Sequence, residues 1–439
     1  MRTKPAILLF FTLLLFLLLT SACGQQTAEQ TTAEPPQTTT AAEPMQAEAD
    51  AQEAHLLIKG YNWSDDVKGA LNGLLMAYGA DGETPAETPY AIFDFDDLSA
   101  VFDAEKQLAA YQLRVMAFAV APEDLKGVLL TDQNDADREL ADRVDDICAA
   151  YAALWRTYGP FTAGGLDAEE QKAVQADPQW QAFAEGMRAL YAQTDDAQPS
   201  DAAHSRGACW TTGMTEDEIY ALAMAGFDNY TDADVSAAKC VSPKNMSAVG
   251  AANHEWTSGT QVLENVRDLW RALDDNGIDV WGYSAGGPGA IRAAIDSFGL
   301  HDACAGVIAV TNQTDADSRY IAERDPEAGC GFYANDDGSW TRMTRAVKAQ
   351  TPGVGKATAT ANAIAPEYGG HGPIAGFMDT ADDLSFCTAF ESLKLVISFD
   401  RANSGGLIAK VAVIRRIPSE MLNKGQLTQI GCKCCQRKK

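Results

Sequence analysis

Ala91-Ile92-Phe93-Asp94-Phe95-Asp96 decides how this chain is read. From Pro89 onward the residues are aromatic and aliphatic, the make-up of a short buried strand, and the run ends in two aspartates. That order places carboxylates at the C-terminal end of a strand. In an open parallel sheet ligands bind beyond that end, so an acidic pair there has a chemical use. The chain holds 61 acidic residues, and Asp135 with Asp137, Asp232 with Asp234, and Asp315 with Asp317 repeat the same spacing. None of those pairs follows a buried run. Position therefore sets Asp94 and Asp96 apart where spacing does not.

The stretch after Asp96 is helical in character. Ala104 to Val120 is rich in Ala, Leu and Gln. Leu140, Val144, Ile147 and Tyr151 recur at helical spacing, and Thr215 with Glu218 has the form of a capping box. Beyond about Trp256 the pattern alternates. A helix striped with Val262, Leu263, Val266, Leu269, Trp270 and Leu273 leads through Asn276-Gly277 into a strand from Ile278 to Tyr283. A helix from about Gly289, a strand from Gly306 to Thr311, a helix after Lys356, a strand from Pro373 to Asp379, a further helix and a strand from Leu393 to Phe399 follow. Alternating strand and helix predicts an α/β protein: a three-layer, Rossmann-like parallel sheet with helices on both faces. Its core is expected from residues 56–103 and 256–425, with a helical cap inserted over 104–255.

The two ends read as something other than fold. Residues 1–22 have a basic start, an apolar run from Pro5 to Leu19 and a small-residue exit, which predicts a secretion signal. Leu19 to Cys23 resembles a bacterial lipobox, so Cys23 is the expected lipidation site and the membrane attachment, with a plain secreted protein as the alternative. Residues 23–55, dominated by Gln, Thr, Ala, Glu and Pro, bury too little to order themselves and read as a tether. Ten cysteines in an exported chain permit disulfides without choosing the pairs. Cys432, Cys434 and Cys435 lie in a Cys- and Lys-rich tail, residues 426–439, where cysteine density alone is weak evidence for metal. The net charge of −27 excludes a nucleic-acid binder, since no broad basic face competes with that field. It also repels a phosphate ester unless cations gather locally, which makes a bound metal attractive for any phosphate chemistry.

Further polar residues follow in a telling order. Ser284 ends the strand Ile278 to Tyr283. Lys356 follows Gly353-Val354-Gly355 before a helix. Asp379 ends a strand, and Asp383 comes four residues later. An Asp-x-Asp, a strand-end Ser, a Gly-Lys and an Asp-x-x-x-Asp in that order resemble the four motifs of the haloacid dehalogenase superfamily. Residues 89–111, 256–294 and 372–406 are similar to its exported members of phosphoserine-phosphatase-like or phosphorylcholine-phosphatase-like type. The resemblance implies a magnesium-dependent hydrolase of a small phosphate ester. It implies Asp94 as the nucleophile that forms an aspartyl-phosphate, and Asp96 as general acid and then base. It implies Asp379, Asp94 and the backbone carbonyl of Asp96 as Mg²⁺ ligands, with Asp383 holding the metal shell or Lys356. Ser284 would bond the phosphoryl oxygens and Lys356 offset their charge. Three residues depart from the family pattern. Asp97 stands where Asn or Gly is usual, Leu98 where Thr or Val is common, and Met378 where Gly precedes the last motif. They leave a catalytically inactive binding lipoprotein as one alternative.

A second enzyme class fits a different motif. Gly282-Tyr283-Ser284-Ala285-Gly286 matches the G-x-S-x-G elbow of serine esterases, with His371 downstream and Asp315, Asp317, Asp336 and Asp337 between them as triad acids. That fold lays down several strands before its nucleophile, and here one strand precedes the long helical stretch. If the ester carries a quaternary ammonium, an aromatic cage is required, and Trp155, Trp180, Trp210 and Tyr220 are the candidate donors.

Overall fold

A computed structural model describes residues 63–79, 88–101, 103–131, 138–197, 209–230, 236–241, 253–259, 264–349, 355–378, 389–400 and 410–415, with Ile58, residues 261–262 and Phe386. Eight strands form its main sheet. They are β1 (Tyr90–Asp94), β2 (Asp279–Tyr283), β3 (Gly306–Thr314), β4 (Tyr320–Ala334), β5 (Trp340–Arg342), β6 (Ala375–Met378), β7 (Leu395–Asp400) and β8 (Lys410–Arg415). Their order is β8-β7-β6-β1-β2-β3-β4-β5. The run β7-β6-β1-β2-β3 is parallel, while β8, β4 and β5 pair antiparallel at the edges.

The antiparallel edges depart from the wholly parallel sheet read from the sequence. Between β3 and β4 the chain turns in a few residues, far too short for a parallel crossover. Asp315 makes that turn, its Oδ1 accepting the Asp317 and Arg319 N–H groups at 2.9 Å each. The Asp315-x-Asp317 pair is thus a turn device.

Ten α-helices lie among the described residues. α1 (Asp65–Tyr78) precedes β1. α2 (Ala104–Val115), α3 (Pro122–Leu130), α4 (Arg138–Tyr158), α5 (Ala168–Gln175), α6 (Pro178–Ala197) and α7 (Glu216–Tyr230) lie between β1 and β2, followed by α8 (Glu264–Asp275). α9 (Pro288–Ser297) and α10 (Gly355–Ala359) come later. Of the apolar stripe read for α8, Val266, Leu269, Trp270 and Leu273 are buried as their spacing requires, whereas Val262 lies before the helix in a two-residue strand paired with Ala100–Val101, and Leu263 lies outside the described residues. Gly277 turns that helix into β2 at φ 71°, a backbone state that a Cβ would strain. The box at Thr215 forms in both directions, with Thr215 N–H on Glu218 Oε2 and Glu218 N–H on Thr215 Oγ1.

Alternation along the strands sorts side chains to two faces. Ala91 and Phe93 of β1 and Val280 of β2 join the larger core with α1, α7, α8 and α9. Tyr90 and Ile92, with Trp281 and Tyr283, face the other way onto Ala359, Ala363 and Ile364. The result is a three-layer α/β/α architecture. α3 to α6 gather round a separate apolar cluster of Phe118, Tyr151, Phe183 and Trp210. α7, in contrast, packs Ile219, Leu222 and Phe227 into the main core. Residues Ser236–Val241 and Asn253–Ser258 form an antiparallel pair, in a stretch expected to be helical.

From β1 the chain steps to β2 and β3 on one side, then returns to β6 and β7 on the other. Strand order therefore reverses at β1, and the space beyond its C-terminal end is the crevice where such sheets bind ligands.

Candidate active site

Asp94 is the last residue of β1, in phase with Tyr90 and Ile92, so its side chain turns toward the layer that carries α10. Its Oδ1 accepts the Phe95 N–H at 2.9 Å. Its Oδ2 meets Lys356 Nζ at 2.9 Å, with both side chains nearly buried at 13% and 8% exposure. Immediately after Asp94 the chain enters a single π-helical turn, Phe95–Ser99, a form that is rare and concentrates at functional sites. That turn puts Asp96 on the opposite layer, where Ser284 waits. Parallel register aligns Asp94 with Tyr283, so Ser284 is the next residue beyond the strand end. In phase with Val280, it turns to the face that Tyr283 avoids.

The Ser284 hydroxyl donates to Asp96 Oδ2 at 2.5 Å and accepts the Gly286 N–H at 2.8 Å. Asp96 Oδ1 accepts the Ala104 N–H at 2.9 Å, at the first turn of α2. Burial pushes the Asp96 carboxyl up to about 8, and the nearby Asp103 charge adds to it; the Ser284 and Ala104 hydrogen bonds oppose both. A carboxyl so placed keeps a proton to donate near neutrality.

Four residues read from the sequence, Asp94, Asp96, Ser284 and Lys356, thus meet at one strand end. Asp379 and Asp383 lie outside the described residues, as do Cys23, residues 1–57 and the cysteine tail. The described part of β6 ends at Met378, whose side chain packs with Leu393 and Val396. Leu98 is fully buried in the main core. A hydroxyl comes one residue later than expected: Ser99 Oγ donates to the Asp94 carbonyl at 3.1 Å.

Two more acids escaped the sequence reading. Asp103 caps α2 by accepting the Glu105 and Lys106 N–H groups. Glu105 is 7% exposed, and its Oε1 takes the Gly287 N–H at 2.6 Å. An aspartate just before an Ala-Glu-Lys run is a legible cap, whereas nothing local marks Glu105 as buried. Close packing fixes Gly286 too, since a Cβ there would stand 2.9 Å from Glu105 Cγ. Beside this loop is a cavity of about 30 Å³, lined by Glu105, Gln112, Thr311 and Asn312 among mostly apolar neighbours.

The esterase arrangement does not assemble. The His371 carbonyl accepts from the hydroxyl of Tyr90, the first residue of β1, at 2.9 Å, while Ser284 lies past the last. The two ends of a strand of this length lie about 13 Å apart. Ser284 already bonds Asp96. The aromatic cage fails likewise. Trp155 and Trp210 pack with Phe161, Phe118 and Tyr191, and Trp180 Nε1 donates to the Leu113 carbonyl. Arg292 covers the ring of Tyr220.

No family model matches this chain, and no curated protein does. Among solved structures it is similar to a conserved protein of unknown function from Anaerococcus prevotii DSM 20548, with 23% identity, TM-score 0.63, and coverage of 80% of this chain and 89% of that one. A protein of unknown function from Bordetella pertussis Tohama I matches at 14% identity and TM-score 0.30, over 69% of this chain and 87% of that one. Cytosolic 5'-nucleotidase IIIB bound to cytidine matches at 10% and 0.28, over 76% and 78%. The last two likenesses are too loose to support an argument; the first establishes a shared fold.

Proposed function

We propose that this protein is a phosphomonoester hydrolase of the haloacid dehalogenase type, working through an aspartyl-phosphate on Asp94. One observation carries the reading: Asp94 with Lys356, and Asp96 with Ser284, converge at the C-terminal end of β1, where the strand order reverses. A carboxylate beside a buried ammonium suits in-line attack on phosphorus, since the cation offsets charge on the transferring group. The bond from phosphorus to the ester oxygen breaks as Asp94 bonds to phosphorus. Asp96 gives its proton to the leaving oxygen, then takes one from the water that hydrolyses the acyl-phosphate. α3 to α6 serve as the cap that keeps water out.

Among the described residues no cluster of three metal-ligating side chains is present. The oxygens available are the Asp94 carboxylate and the Asp96 carbonyl. Both are hard donors of the kind Mg²⁺ prefers, and Asp379 and Asp383 are the proposed remainder. Bound there, Mg²⁺ supplies charge neutralisation for the phosphoryl group. Hydrolysis of p-nitrophenyl phosphate is therefore expected to fall to background in EDTA and to return with excess Mg²⁺. Activity unchanged by chelation would remove the metal from the proposal.

Ser284→Ala is expected to lower kcat/KM by on the order of 10²-fold without abolishing turnover, because it removes the hydroxyl that holds Asp96 Oδ2 and that can turn its one proton to the transferring group once substrate binds. Complete loss, together with hydrolysis of p-nitrophenyl acetate by the unaltered protein, would instead mark Ser284 as a nucleophile. The apolar run before Cys23 supports an exported protein held at the outer face of the membrane by a lipid on that cysteine.

A further inference from the structure

β2 ends in two residues that face opposite layers, and each reaches one half of the site. Ser284 bonds Asp96 on one side. On the other, the Tyr283 hydroxyl lies 2.8 Å from Thr360 Oγ1, and Thr360 Oγ1 donates to the Lys356 carbonyl at 2.7 Å. A threonine hydroxyl has one proton, so Tyr283 must be the donor to Thr360. Tyr283 and Thr360 are both fully buried. A phenylalanine at position 283 would fill the same space without a hydroxyl to desolvate, so apolar packing alone does not account for the tyrosine.

The helix they hold changes type where they touch it. The α-helical turn Gly355–Ala359 runs on into a π-helical stretch, Thr360–Ile364, and a 3-10 turn, Ala365–Tyr368. The switch in hydrogen-bond pattern falls at Thr360, one turn after Lys356. Threonine bonding back to the carbonyl four residues earlier is a known way of bending a helix at such a point.

We propose that Tyr283 and Thr360 form a buried hydroxyl relay that positions Lys356 on Asp94, so that the end of β2 sets both halves of the site. The inference rests on the phosphatase reading only for what Lys356 does. The relay itself is a statement about where the ammonium is held.

Two readouts on the full-length protein test it. In a short pulse of an amine-acylating reagent followed by peptide mass spectrometry, Lys356 should react slowly in the unaltered protein. It should react on the order of tenfold faster in Thr360→Val and in Tyr283→Phe, the scale of one lost buried hydrogen bond. Thr360→Ser keeps the hydroxyl and should restore protection. In turnover of p-nitrophenyl phosphate, Thr360→Val should lower kcat about tenfold with little change in KM. That loss should vanish when Lys356→Met is already present, because the relay acts only through the lysine. Unchanged labelling in both Thr360→Val and Tyr283→Phe overturns the relay. So does an equal loss of kcat in the Lys356→Met background, which would mark a structural role. If the unaltered protein hydrolyses no phosphate ester, the functional reading fails and the labelling alone decides the relay.

Discussion

Asp94→Asn is expected to cut kcat on p-nitrophenyl phosphate by on the order of 10⁵-fold, because the amide cannot form the bond to phosphorus on which the two-step route depends. The change keeps the shape of the residue and its acceptor for the Phe95 N–H. What it removes is the proposed nucleophile and the counter-charge of Lys356. An ammonium 8% exposed and left without that partner destabilises the fold, by up to about 3 kcal/mol. Kinetics should therefore be taken at low temperature, with folding checked by circular dichroism. A folded Asp94→Asn protein that turns over at more than a hundredth of the original rate would exclude Asp94 as nucleophile. A complementary sign is covalent: brief exposure to substrate and an acid quench should leave a phosphoryl group on the peptide containing Asp94 in the unaltered protein, and none in the variant.

Asp96→Asn tests the other half, and its effects on rate and stability run in opposite directions. The variant lacks the proton for the leaving alkoxide and the base for the attacking water, a loss of about 10²- to 10⁴-fold for an alkyl phosphate. For p-nitrophenyl phosphate, whose phenolate leaves unaided, the first step should suffer less. The phosphorylated Asp94 should then accumulate. Stability moves the other way. Burial raises the Asp96 carboxyl from its usual range to about 8, so ionising it costs the folded state more than the unfolded one. Stability from the neutral carboxyl is complete at low pH and is lost as pH rises from about 4 through about 8. In EDTA the Asn variant should thus match the unaltered protein near pH 4 and exceed it in Tm near pH 8. A variant less stable at pH 8 would show that the site holds Asp96 as the anion.

Sequence legibility followed the range of the physical signal. A buried apolar run ending in Asp94-Phe95-Asp96 is a local pattern, and it placed β1 and its polar end correctly. So did Ile278 to Tyr283, with Ser284 just beyond it, and the Val266, Leu269, Trp270 and Leu273 stripe of α8. Chain order then linked Lys356 to the same chemistry through the family resemblance. No local signal could tell that Glu105 is buried against Gly287, or that Arg292 already covers Tyr220. Nor could one show that the tryptophans proposed for a cage are packing units.

By itself the sequence determined the α/β class, the strand that ends at Asp94 with Asp96 just beyond it, and the identity of the polar residues at the strand ends, because periodicity and burial are written residue by residue. Strand order was decided only in three dimensions. It reverses at β1, brings Lys356 to within 2.9 Å of Asp94, and leaves His371 at the far end of the sheet from Ser284. It also put the antiparallel strands at the edges. The physical reason is that a strand's pattern specifies which faces it buries but not which neighbour it pairs with. That choice belongs to the packing of all the layers at once.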